Sequence, residues 1–490
     1  ASLFVTGRTL TVDGGQTLRA SVVHQVVGAA RPARRAKNVI FFLGDGMGGA
    51  AITAARLLSK GITEGRYQGL LEMDTMQHRG IVGTSGADSI ATDSANSMSA
   101  YMTGHKSSVN AMGVYESNAT DPTAHPRVET MAELVRRARG MAVGVVTTAE
   151  VQDATPAAVW AHTRRRSEYA EIMNQALRPA QRPDVLLGGG LASLLPKSQT
   201  GSKRTDERNL VAEFQALGYA HAQDRAQLRT AVAGRPRQLL GLFQFGNMNV
   251  YLDRQHTRNP AVLGTWTDQP TLPEMTEAAL GVLAEHRDGF FLMVEGASID
   301  KMEHPLDGTR AVYDTIEFDQ AIGAARRWAR NRDDTLIVVT ADHNHSMSIV
   351  GTHDRRRAAG RAGNGVYAEA GFPTYVDTTG DGFPDDPDPE VGLFFGWSNH
   401  PDHSDDFQHD PVPLQPALLD AATGRAVDNP ADDAGGELQT GNLPFNQTNC
   451  VHTVEDVAIV ASGPGSDRFA GFLDNTEVFH AMIDALGLDA

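Results

Sequence analysis

Three apolar segments, each followed by residues of the types that bind metal ions, constrain the fold of this 490-residue chain most strongly. They cover residues 38–43, 290–294 and 335–340 and are apolar at nearly every position. Such runs are typical of parallel strands that are buried on both faces. The carboxyl ends of parallel strands meet at one edge of a sheet, where open α/β folds bind their ligands. The sequence therefore predicts a site for several metal ions at that edge, formed by Asp45, Glu295, Asp300, His304, Asp342 and His343. The loops that follow the last two strands are expected to carry Glu295, Asp300, His304, Asp342 and His343.

The same apolar pattern recurs along the chain and alternates with segments of helical periodicity. Further strands are predicted at residues 142–147, 184–187, 238–243 and 456–461, and helices at residues 130–139 and 312–330. This alternation predicts an α/β fold with a mostly parallel central sheet and helices on both faces.

The alternation is interrupted in two places. Residues 1–37 are polar and are interpreted as an N-terminal extension, with a turn expected at Asp13-Gly14-Gly15. Residues 351–450 are rich in Gly, Pro, Asp and Asn and are interpreted as a large irregular insertion. The catalytic core is therefore assigned to residues 38–350 and 451–490.

Composition limits the partners of the chain. A net charge of −17 argues against nucleic acid or an anionic membrane surface, which would need a basic face. The single cysteine, Cys450, excludes an intrachain disulfide framework and a cysteine-rich zinc site. No segment has the roughly 20 consecutive apolar residues that a membrane helix needs. A phosphate ester would be repelled by this overall charge, so a pocket for it must be locally positive.

A serine suited to nucleophilic attack lies within residues 91–104. Thr92, Asp93 and Ser94 have the composition of a helix N-cap, and small residues follow them. A serine at a helix N-terminus meets free N–H groups and the positive end of the helix dipole, which suits a phosphoryl oxygen. A structural role, in which Asp93 or Ser94 only caps the helix, explains the same residues.

Residues 147–166 combine acidic and basic side chains. Asp153 and Thr155 follow a predicted strand, and Pro156 suits the first turn of a helix that Thr155 would cap. The helix is expected to continue through Arg164, Arg165 and Arg166. An arginine triplet is usually a solvated face, but one guanidinium is well shaped to hold a phosphate through two parallel hydrogen bonds.

These motifs occur together, and in this order, in bacterial alkaline phosphatases. The chain resembles that family through the segments GDGMG, TDSA, TAEVQDATPAAVWAH, VEGASIDK and VTADH and a late His-Thr pair. The resemblance covers residues 38–351 and 451–488. It implies an alkaline-phosphatase-like fold and hydrolysis of phosphate monoesters to an alcohol and inorganic phosphate through a phosphoserine. It also implies a homodimer and a periplasmic or secreted location, and Ala1 would fit a signal-peptidase product.

The resemblance further implies a role for each matching residue. Ser94 would accept the phosphoryl group, Arg166 would bind it and Lys301 would contact it through water. One zinc ion would be held beside the serine by Asp45, Asp342 and His343. A second zinc ion would be held by Asp300, His304 and His452, with His345 orienting a ligand carboxylate. A magnesium ion would be held by Asp45, Asp153, Thr155 and Glu295.

The chemistry explains why such residues are needed. Two divalent metal ions roughly 3.5–4 Å apart stabilise both the entering and the leaving oxygen of an in-line displacement. Nitrogen and carboxylate ligands suit zinc, and a set of oxygen ligands suits magnesium. Asn96 and Met98 are larger than the residues that the family usually has after the serine. This difference predicts altered packing under the nucleophile.

Other functions share parts of this pattern. A phosphodiesterase or sulfatase of the same superfamily would use the same two-zinc core. Sulfatases of that type need a modified cysteine or serine as nucleophile, and Cys450 is not at that position. Diesterases tend to lack the third set of metal ligands, which is complete here. A non-catalytic, calcium-dependent adhesion protein would leave the ordered catalytic motifs unexplained.

The insertion carries a separate signal for calcium. From Asp377 onward, oxygen-bearing residues follow the spacing of a twelve-residue calcium loop, with Gly382 at the sharp turn. The ligands would be Asp377, Thr379, Asp381, Asp385 and Asp388, together with the carbonyl of Phe383. An acidic, solvated turn explains the same residues. His400, His403 and His409 indicate either another metal patch or an exposed polar loop.

Overall fold

The computed structural model describes residues 2–12, 16–26, 35–357 and 363–488. Its strands are β1 (Ser2–Val12), β2 (Gln16–Val26), β3 (Asn38–Gly44), β4 (Ile62–Thr63), β5 (Arg66–Tyr67), β6 (His78–Gly83), β7 (Ala142–Glu150), β8 (Val185–Gly189), β9 (Ala220–Ala222), β10 (Leu239–Leu242), β11 (Phe290–Gly296), β12 (Thr335–Ala341), β13 (Met347–Asp354), β14 (Asn364–Gly365), β15 (Val391–Trp397), β16 (His403–Asp405), β17 (Leu418–Leu419), β18 (Ala426–Val427), β19 (Glu437–Gln439), β20 (Val457–Ser462) and β21 (Gly471–Asp474). Its α-helices are α1 (Gly49–Lys60), α2 (Ser94–Thr103), α3 (Met131–Arg139), α4 (Ala154–Ala157), α5 (Tyr169–Gln175), α6 (Leu210–Ala216), α7 (Arg225–Ala233), α8 (Pro260–Leu263), α9 (Leu272–Leu283), α10 (Ser298–Glu303), α11 (Gly308–Ala329) and α12 (Asn475–Leu486).

The first unit of the chain, residues 1–35, contains an antiparallel hairpin. In it, β1 pairs with β2 from Ser2 opposite Val26 to Val12 opposite Gln16. Threonine and valine, which favour extended backbone, are frequent in both strands. The predicted turn Asp13-Gly14-Gly15 lies outside the described residues.

The second unit, residues 36–490, is built on a ten-stranded sheet. The strand order is β21-β6-β20-β12-β3-β11-β7-β8-β10-β9. Seven neighbouring pairs are parallel, and β20 is antiparallel to both of its neighbours. Strands β3, β11 and β12 are buried at every residue, as segments that are apolar along their whole length should be. The predicted α/β fold with a mostly parallel sheet is confirmed.

Helices cover both faces of this sheet. Phe41 and Phe42 are neighbours in β3, so their side chains point to opposite faces. The Phe41 ring lies 5.6 Å from Tyr101 in α2, and the Phe42 ring lies 5.8 Å from Phe318 in α11. The two helices therefore flank the sheet on opposite sides, as predicted. Within the described ranges, no helix combines the length and the apolar character that crossing a membrane requires.

The sequence pattern misses three strands of the sheet, β6, β9 and β21. Strand β6 contains two glycines and leaves most of its residues partly or fully exposed, so it shows no continuous apolar run. Strand β9 has three residues and β21 has four, which is too short for a periodic signal. The predicted helix at residues 130–139 is α3, capped by Thr130, and the one at 312–330 is α11.

In its described residues, the segment 351–450 carries the strands β14 to β19, which are two or three residues long except for β15 with seven. Its predicted start, Gly351, falls inside β13, which pairs with β15 across that position. At its end, the N–H of Cys450 donates to the carbonyl of His304 over 3.0 Å. Both ends of the segment are therefore joined to the core by backbone hydrogen bonds.

Candidate active site

Adjacent strand ends bring the predicted site residues together. Strands β12, β3, β11 and β7 are neighbours in the sheet. Gly44, the last residue of β3, pairs with Ala341 in β12 and with Gly296 in β11. Asp45 and Asp342 directly follow two of these paired residues, so they leave the sheet side by side.

Two residues expected on a loop lie in regular structure instead, and a third directly follows a helix. Glu295 is inside β11, because this strand continues to Gly296. Asp300 lies in the short helix α10, and His304 is its C-cap. Residues four apart share one face of a helix, so α10 presents Asp300 and His304 together. The loop placement is therefore wrong for Glu295 and Asp300, whereas His304 lies in the turn after α10.

Ser94 is surrounded by buried ligand atoms. Its Oγ lies 3.4 Å from each carboxylate oxygen of Asp45 and 3.5 Å from Nε2 of His343. The same nitrogen lies 3.3 Å from Oδ2 of Asp342. Ligand atoms of Asp45, Asp300 and His343 all lie within 4.8 Å of one another. Carboxylates and an imidazole nitrogen around the serine form a donor set that suits a divalent cation.

A second group is centred on Oδ1 of Asp300. The Nε2 atoms of three histidines lie 3.3–3.5 Å from this oxygen, and the three are His304, His345 and His452. Burial alone raises the pKa of Asp300, but the neighbouring His304 and His452 hold it well below its usual range. The carboxylate is therefore charged and available to a cation.

The Nδ1 atoms determine which histidine nitrogens are free to bind a metal. Nδ1 of His304 lies 2.8 Å from the Cys450 carbonyl, and Nδ1 of His452 lies 2.7 Å from the Thr92 carbonyl. Nδ1 of His343 lies 3.3 Å from the Asn344 carbonyl. A carbonyl only accepts hydrogen bonds, so Nδ1 carries the proton in all three rings. When these rings are neutral, Nε2 is therefore the nitrogen without a proton and can bind a metal ion.

His345 has the opposite arrangement. Its Nδ1 accepts a hydrogen bond from the N–H of Ser346 over 2.9 Å. Burial lowers the pKa of His345 to about 3, so the ring is neutral and its proton is on Nε2. That nitrogen lies 3.5 Å from Asp300 Oδ1 with its N–H on the side of the carboxylate, and it has no lone pair for a metal ion. The geometry supports the predicted role of His345, which is to orient a ligand carboxylate.

Buried oxygen atoms without partners test whether metal ions fit this edge. Oγ1 of Thr155, Oδ1 of Asp300 and Oδ2 of Asp342 have no hydrogen-bond partner among the described residues. Leaving buried polar atoms unpaired costs free energy. Burial, followed by the charges of Asp342 and Asp300, raises the pKa of Asp45 well above its usual value. Bound cations would pair with these oxygens and offset the repulsion, so the residues present fit the implied metals.

Of the predicted magnesium ligands, Asp45 belongs to the first group, whereas Asp153 and Glu295 do not. Burial raises the pKa of Glu295 to about 8, and its Oε2 accepts a hydrogen bond from Thr147 Oγ1. Thr155 is buried in α4, just after β7. The ligand atoms that cluster within 4.8 Å in the described part of the chain include neither Asp153 nor Glu295.

Asp153 holds both side chains that are predicted to bind phosphate. Its Oδ1 accepts a hydrogen bond from Arg166 Nη2 and its Oδ2 one from Lys301 Nζ, each over 2.9 Å. Burial lowers the pKa of Arg166 and of Lys301, but the charge of Asp153 reverses this and both pKa values are raised. Nη1 of Arg166 also lies 3.3 Å from Oδ2 of Asp93. Two cations therefore flank Asp153, and one of them, Arg166, also contacts the residue before Ser94.

The helix after β7 differs from its prediction. Helix α4 covers only Ala154–Ala157, and its N-cap is Asp153, whose Oδ1 accepts the Ala154 N–H over 2.8 Å. Thr155 is the second helical residue, so its prediction as the cap is wrong. Asp153 takes the cap because its longer carboxylate reaches the free N–H groups.

The arginine triplet does not continue this helix, which contradicts the prediction that all three share it. Arg164 bonds to Glu116 Oε1 over 3.1 Å and to the Val109 carbonyl over 2.8 Å. Arg165 is exposed. Of the triplet, Arg166 is the member that bonds to Asp153. The irregular backbone after α4 points the three guanidinium groups in different directions.

Comparison with known proteins gives the family of this chain. The family model described as alkaline phosphatase matches residues 36–382. The chain belongs to the alkaline phosphatase family. The alkaline phosphatase of Escherichia coli (strain K12) is 35% identical over 375 residues, which cover 70% of this chain and 75% of that protein. The streptomycin-6-phosphate phosphatase of Streptomyces griseus is 34% identical over 499 residues and covers 92% of this chain and 91% of its own length.

Solved alkaline phosphatase structures share the fold. The enzyme from Thermus thermophilus has a TM-score of 0.65 at 22% identity and covers 93% of this chain and 92% of its own. The enzyme from the Antarctic bacterium TAB5 has a TM-score of 0.63 at 20% identity, and the match covers 94% of this chain and 100% of that enzyme's chain. The alkaline-phosphatase-like fold is confirmed, and family membership makes the chain an enzyme, a phosphomonoesterase.

In this member of the alkaline phosphatase family, the helix of the nucleophile begins with a reciprocal cap. Asp93 is the N-cap of α2 and Ser94 its first residue. The Asn96 N–H donates to Asp93 Oδ1 over 3.1 Å, and the Asp93 N–H donates to Asn96 Oδ1 over 3.0 Å. Asn96 Nδ2 also donates to the Ser107 carbonyl over 3.3 Å. The larger side chain of Asn96 therefore fixes the start of the helix.

Some groups that shape the site were not singled out from the sequence. The carbonyls of Thr92 and Cys450 set the tautomers of two histidines, and backbone atoms give no sequence signal. Thr147 was assigned only as the end of a strand, although its hydroxyl bonds to Glu295. Asp93 was recognised as a cap, but its bond to Arg166 depends on tertiary contact.

The candidate calcium loop is organised by its own backbone. Asp377 accepts hydrogen bonds from the N–H groups of Gly380, Asp381 and Gly382 over 2.7–3.2 Å. Phe383 is buried, and its ring stacks on Tyr251 with centroids 3.8 Å apart. Among the described residues, three carboxylates of this loop do not come within 4.8 Å of one another.

The histidine patch of the insertion is not assembled as one metal group. The rings of His400 and His403 lie 4.8 Å apart. The ligand atoms that do gather in this part of the chain belong to Asp405, Asp406 and Asp433. His409 lines a separate cavity of about 50 Å³ with Asp405 and Asp433.

Proposed function

We propose that this enzyme hydrolyses phosphate monoesters to an alcohol and inorganic phosphate through a phosphoserine at Ser94. The position of Ser94 Oγ carries the proposal. It starts α2 and lies 3.4 Å from both carboxylate oxygens of Asp45. The N-cap before it, Asp93, bonds to Arg166, so a cation that suits phosphate lies beside the nucleophile.

The proposed metal ions are two zinc ions and one magnesium ion. Asp45, Asp342 and His343 would hold the zinc ion next to Ser94, and Asp300, His304 and His452 would hold the other. Asp45, Asp153, Thr155 and Glu295 would hold magnesium. When bound, the ions would lower the pKa of the serine hydroxyl and neutralise the developing charge on phosphoryl oxygens. The histidine tautomers and the unpartnered buried oxygens support this assignment.

The side chains of the enzyme would bind and orient the ester. Arg166 uses two of its five N–H groups on Asp93 and Asp153, which leaves others for phosphoryl oxygens. Lys301 adds a second positive charge. Ser94 Oγ then forms a bond to phosphorus while the bond to the alcohol oxygen breaks, and the departing oxygen takes up a proton in place of the one that Ser94 loses. A water molecule displaces Ser94 from phosphorus in the next step and releases inorganic phosphate.

The alternative is a phosphodiesterase or sulfatase of the same superfamily. Lys301 and Arg166 argue against a diester, because two cations suit the dianionic group of a monoester. Turnover of a monoester, a diester and a sulfate ester by the metal-loaded enzyme tests this choice. The proposal predicts that the monoester is hydrolysed far faster than the other two. A preference for the diester or the sulfate ester would contradict it.

Calcium binding by Asp377–Asp388, with Thr379, Asp381, Phe383 and Asp385 as further ligands, stays a proposal. It is supported by the loop spacing and by Gly382, which has a φ of +89° at the sharp turn. Calcium at a hundredfold excess over its Kd would stabilise the fold by about 2.7 kcal/mol. Melting temperatures with and without calcium test this for the parent and Asp381→Ala. A calcium response that Asp381→Ala leaves unchanged would contradict the loop.

A homodimer and a periplasmic or secreted location also stay proposals, supported by family membership. Sedimentation of the purified enzyme tests the first. A mass near that of one 52.5 kDa chain at assay concentration would contradict a dimer.

A further inference from the structure

A cavity of about 220 Å³ is lined by residues 167–170, Ser193 and residues 203–205, and the first of these directly follows Arg166. Its lining includes three hydroxyl side chains, one aromatic ring and one ammonium group, from Ser167, Ser193, Thr205, Tyr169 and Lys203. The roles described above use none of these residues. Its position next to Arg166 indicates a part in the same reaction.

Two walls of the cavity are tied to the phosphate site. Ser167 directly follows Arg166, and Tyr169 is the first residue of α5. Burial raises the pKa of Tyr169, the charge of Asp153 raises it further, and Arg166 opposes this. The phenol therefore lies within electrostatic reach of both side chains. On the opposite wall, Ser193 Oγ accepts a hydrogen bond from Gln152 Nε2 over 2.8 Å, and Gln152 precedes Asp153.

The wall around Ser193 is held rigidly. Arg204 is buried, its Nη1 donates to the Ser193 carbonyl over 3.3 Å, and its Nη2 pairs with Asp206 over 2.7 Å. Lys203 pairs with Glu150 over 2.9 Å, while its side chain is 56% exposed. The ammonium group therefore keeps donors that face solvent and are available to a ligand.

We propose that this cavity binds the alcohol part of the substrate and selects polyhydroxylated monoesters, namely sugar and polyol phosphates. The inference rests on the proposed function. Hydroxyl and ammonium groups pair with ligand hydroxyls, and the ring of Tyr169 packs against the C–H face of a sugar. An apolar alcohol would bury the same polar groups without partners. The volume suits one ring, since drug-sized ligands occupy about 300–1,000 Å³.

The order of the steps determines where this binding is seen. The alcohol leaves when the phosphoserine forms, so its contacts affect kcat/KM and not the hydrolysis of the phosphoserine. An added polyol would bind in the same cavity, and this binding favours transfer of the phosphoryl group from the phosphoserine to the polyol. In that step the bond from phosphorus to Ser94 Oγ breaks, the acceptor oxygen forms the new bond, and its proton passes to Ser94 Oγ.

The experiment compares glucose 6-phosphate and glycerol 3-phosphate with ethyl phosphate, because all three leaving groups are alkyl alcohols. Tyr169→Ala is expected to lower kcat/KM for glucose 6-phosphate about tenfold, the scale of one aromatic contact. It should change kcat/KM for ethyl phosphate and the inhibition constant of inorganic phosphate by no more than about twofold. Tyr169→Phe, which keeps the ring and its packing, should retain most of the preference for glucose 6-phosphate over ethyl phosphate. Lys203→Ala should lower kcat/KM about threefold for glucose 6-phosphate and for glycerol 3-phosphate alike.

Matched controls are Tyr67→Ala and Lys60→Ala, which lie on β5 and α1 away from the cavity. Phosphoryl transfer to glycerol, relative to hydrolysis, should fall in Tyr169→Ala and Lys203→Ala and stay unchanged in the controls. Equal losses for glucose 6-phosphate and ethyl phosphate, with weaker phosphate inhibition, would show that Tyr169 only supports Arg166 and would overturn the inference. No loss in any variant would also overturn it. Failure of the proposed function appears separately, as hydrolysis that survives Ser94→Ala.

Discussion

At the residue scale, the hydrogen-bond partner of each Nδ1 decides what a histidine can do. His304, His343 and His452 donate from Nδ1 to backbone carbonyls, whereas His345 accepts from the Ser346 N–H. The first arrangement leaves Nε2 as a metal ligand, and the second makes it a donor. The four rings therefore divide into three whose Nε2 is suited to bind a metal ion and one, His345, whose Nε2 carries the proton.

This division predicts that His345→Ala and His304→Ala differ in how strongly they weaken zinc binding. His345→Ala should retain both zinc ions at saturation but weaken binding at the Asp300 site about 10–100-fold, the usual effect of removing a residue that orients a ligand. His304→Ala removes a ligand and should abolish tight binding at that site. Equilibrium dialysis against zinc measures both. Equal zinc loss in the two variants would show that His345 is itself a ligand.

The arginine triplet gives a second prediction at this scale. Arg166→Ala should weaken binding of inorganic phosphate by about 1.5–3 kcal/mol, the scale of a hydrogen bond to a charged group. Arg164→Ala and Arg165→Ala should have little effect, because Arg164 bonds to Glu116 and Arg165 is exposed. Inhibition constants for phosphate measure this. A comparable loss in all three variants would contradict the assignment of Arg166.

Sequence reasoning at the residue scale selected Ser94, Asp45 and Asp342 because each is adjacent to a strand end or a cap. It misplaced Thr155 and the helix through the arginines, because the length of α4 depends on how the chain packs after Ala157. The tautomers were not predictable, since the carbonyls of Thr92 and Cys450 come from distant parts of the chain.

At the element scale, the ends of β3, β11 and β12 determine the site. Their continuous apolar runs predict buried parallel strands, and the register that aligns Gly44 with Ala341 and Gly296 places the ligands together. Strand β6, which lies between β21 and β20, lacks such a run, so it was not predictable from periodicity. The insertion was predicted by composition, but the pairing of β13 with β15 follows from tertiary contact.

The start of α2 gives a prediction for one element. Asn96→Ala removes half of the reciprocal cap and should lower the free energy of unfolding by about 1 kcal/mol. It should also lower turnover, because Asp93 and Ser94 lose a fixed position. Thr271→Ala, which removes the cap of the distant helix α9, is the matched control and should cost similar stability at full turnover. Denaturant titration and initial rates of both variants measure this, and full turnover in Asn96→Ala would contradict it.

At the scale of the whole molecule, the sheet edge concentrates buried acids that need cations. Burial raises the pKa of Glu295 to about 8, and the pKa of Asp45 is raised well above its usual value. Without metal ions, the folded chain holds these protons more tightly than the unfolded chain does. Stability of the metal-free enzyme should therefore fall as the pH rises from about 7 to 9.

This pH dependence is measured by melting the metal-free enzyme across that range. Each group contributes at most about 1.4 kcal/mol per pH unit. Histidines with pKa values below the usual one do not titrate in this range, so they do not mask the trend. Glu295→Gln should reduce the slope, and so should zinc with magnesium, while acids away from the metal site, such as Asp410 with a pKa raised to about 8, keep part of it. A metal-free enzyme that becomes more stable between pH 7 and 9 would contradict the account.

The central claim is that Ser94 accepts the phosphoryl group. Incubation of the metal-loaded enzyme with a labelled monoester, acid quenching and peptide mapping by mass spectrometry test it most directly. The account predicts one phosphorylated residue, Ser94, and no label in Ser94→Ala, which should lose turnover by several orders of magnitude while it still binds zinc. Phosphate on another residue, or full turnover by Ser94→Ala, would contradict it.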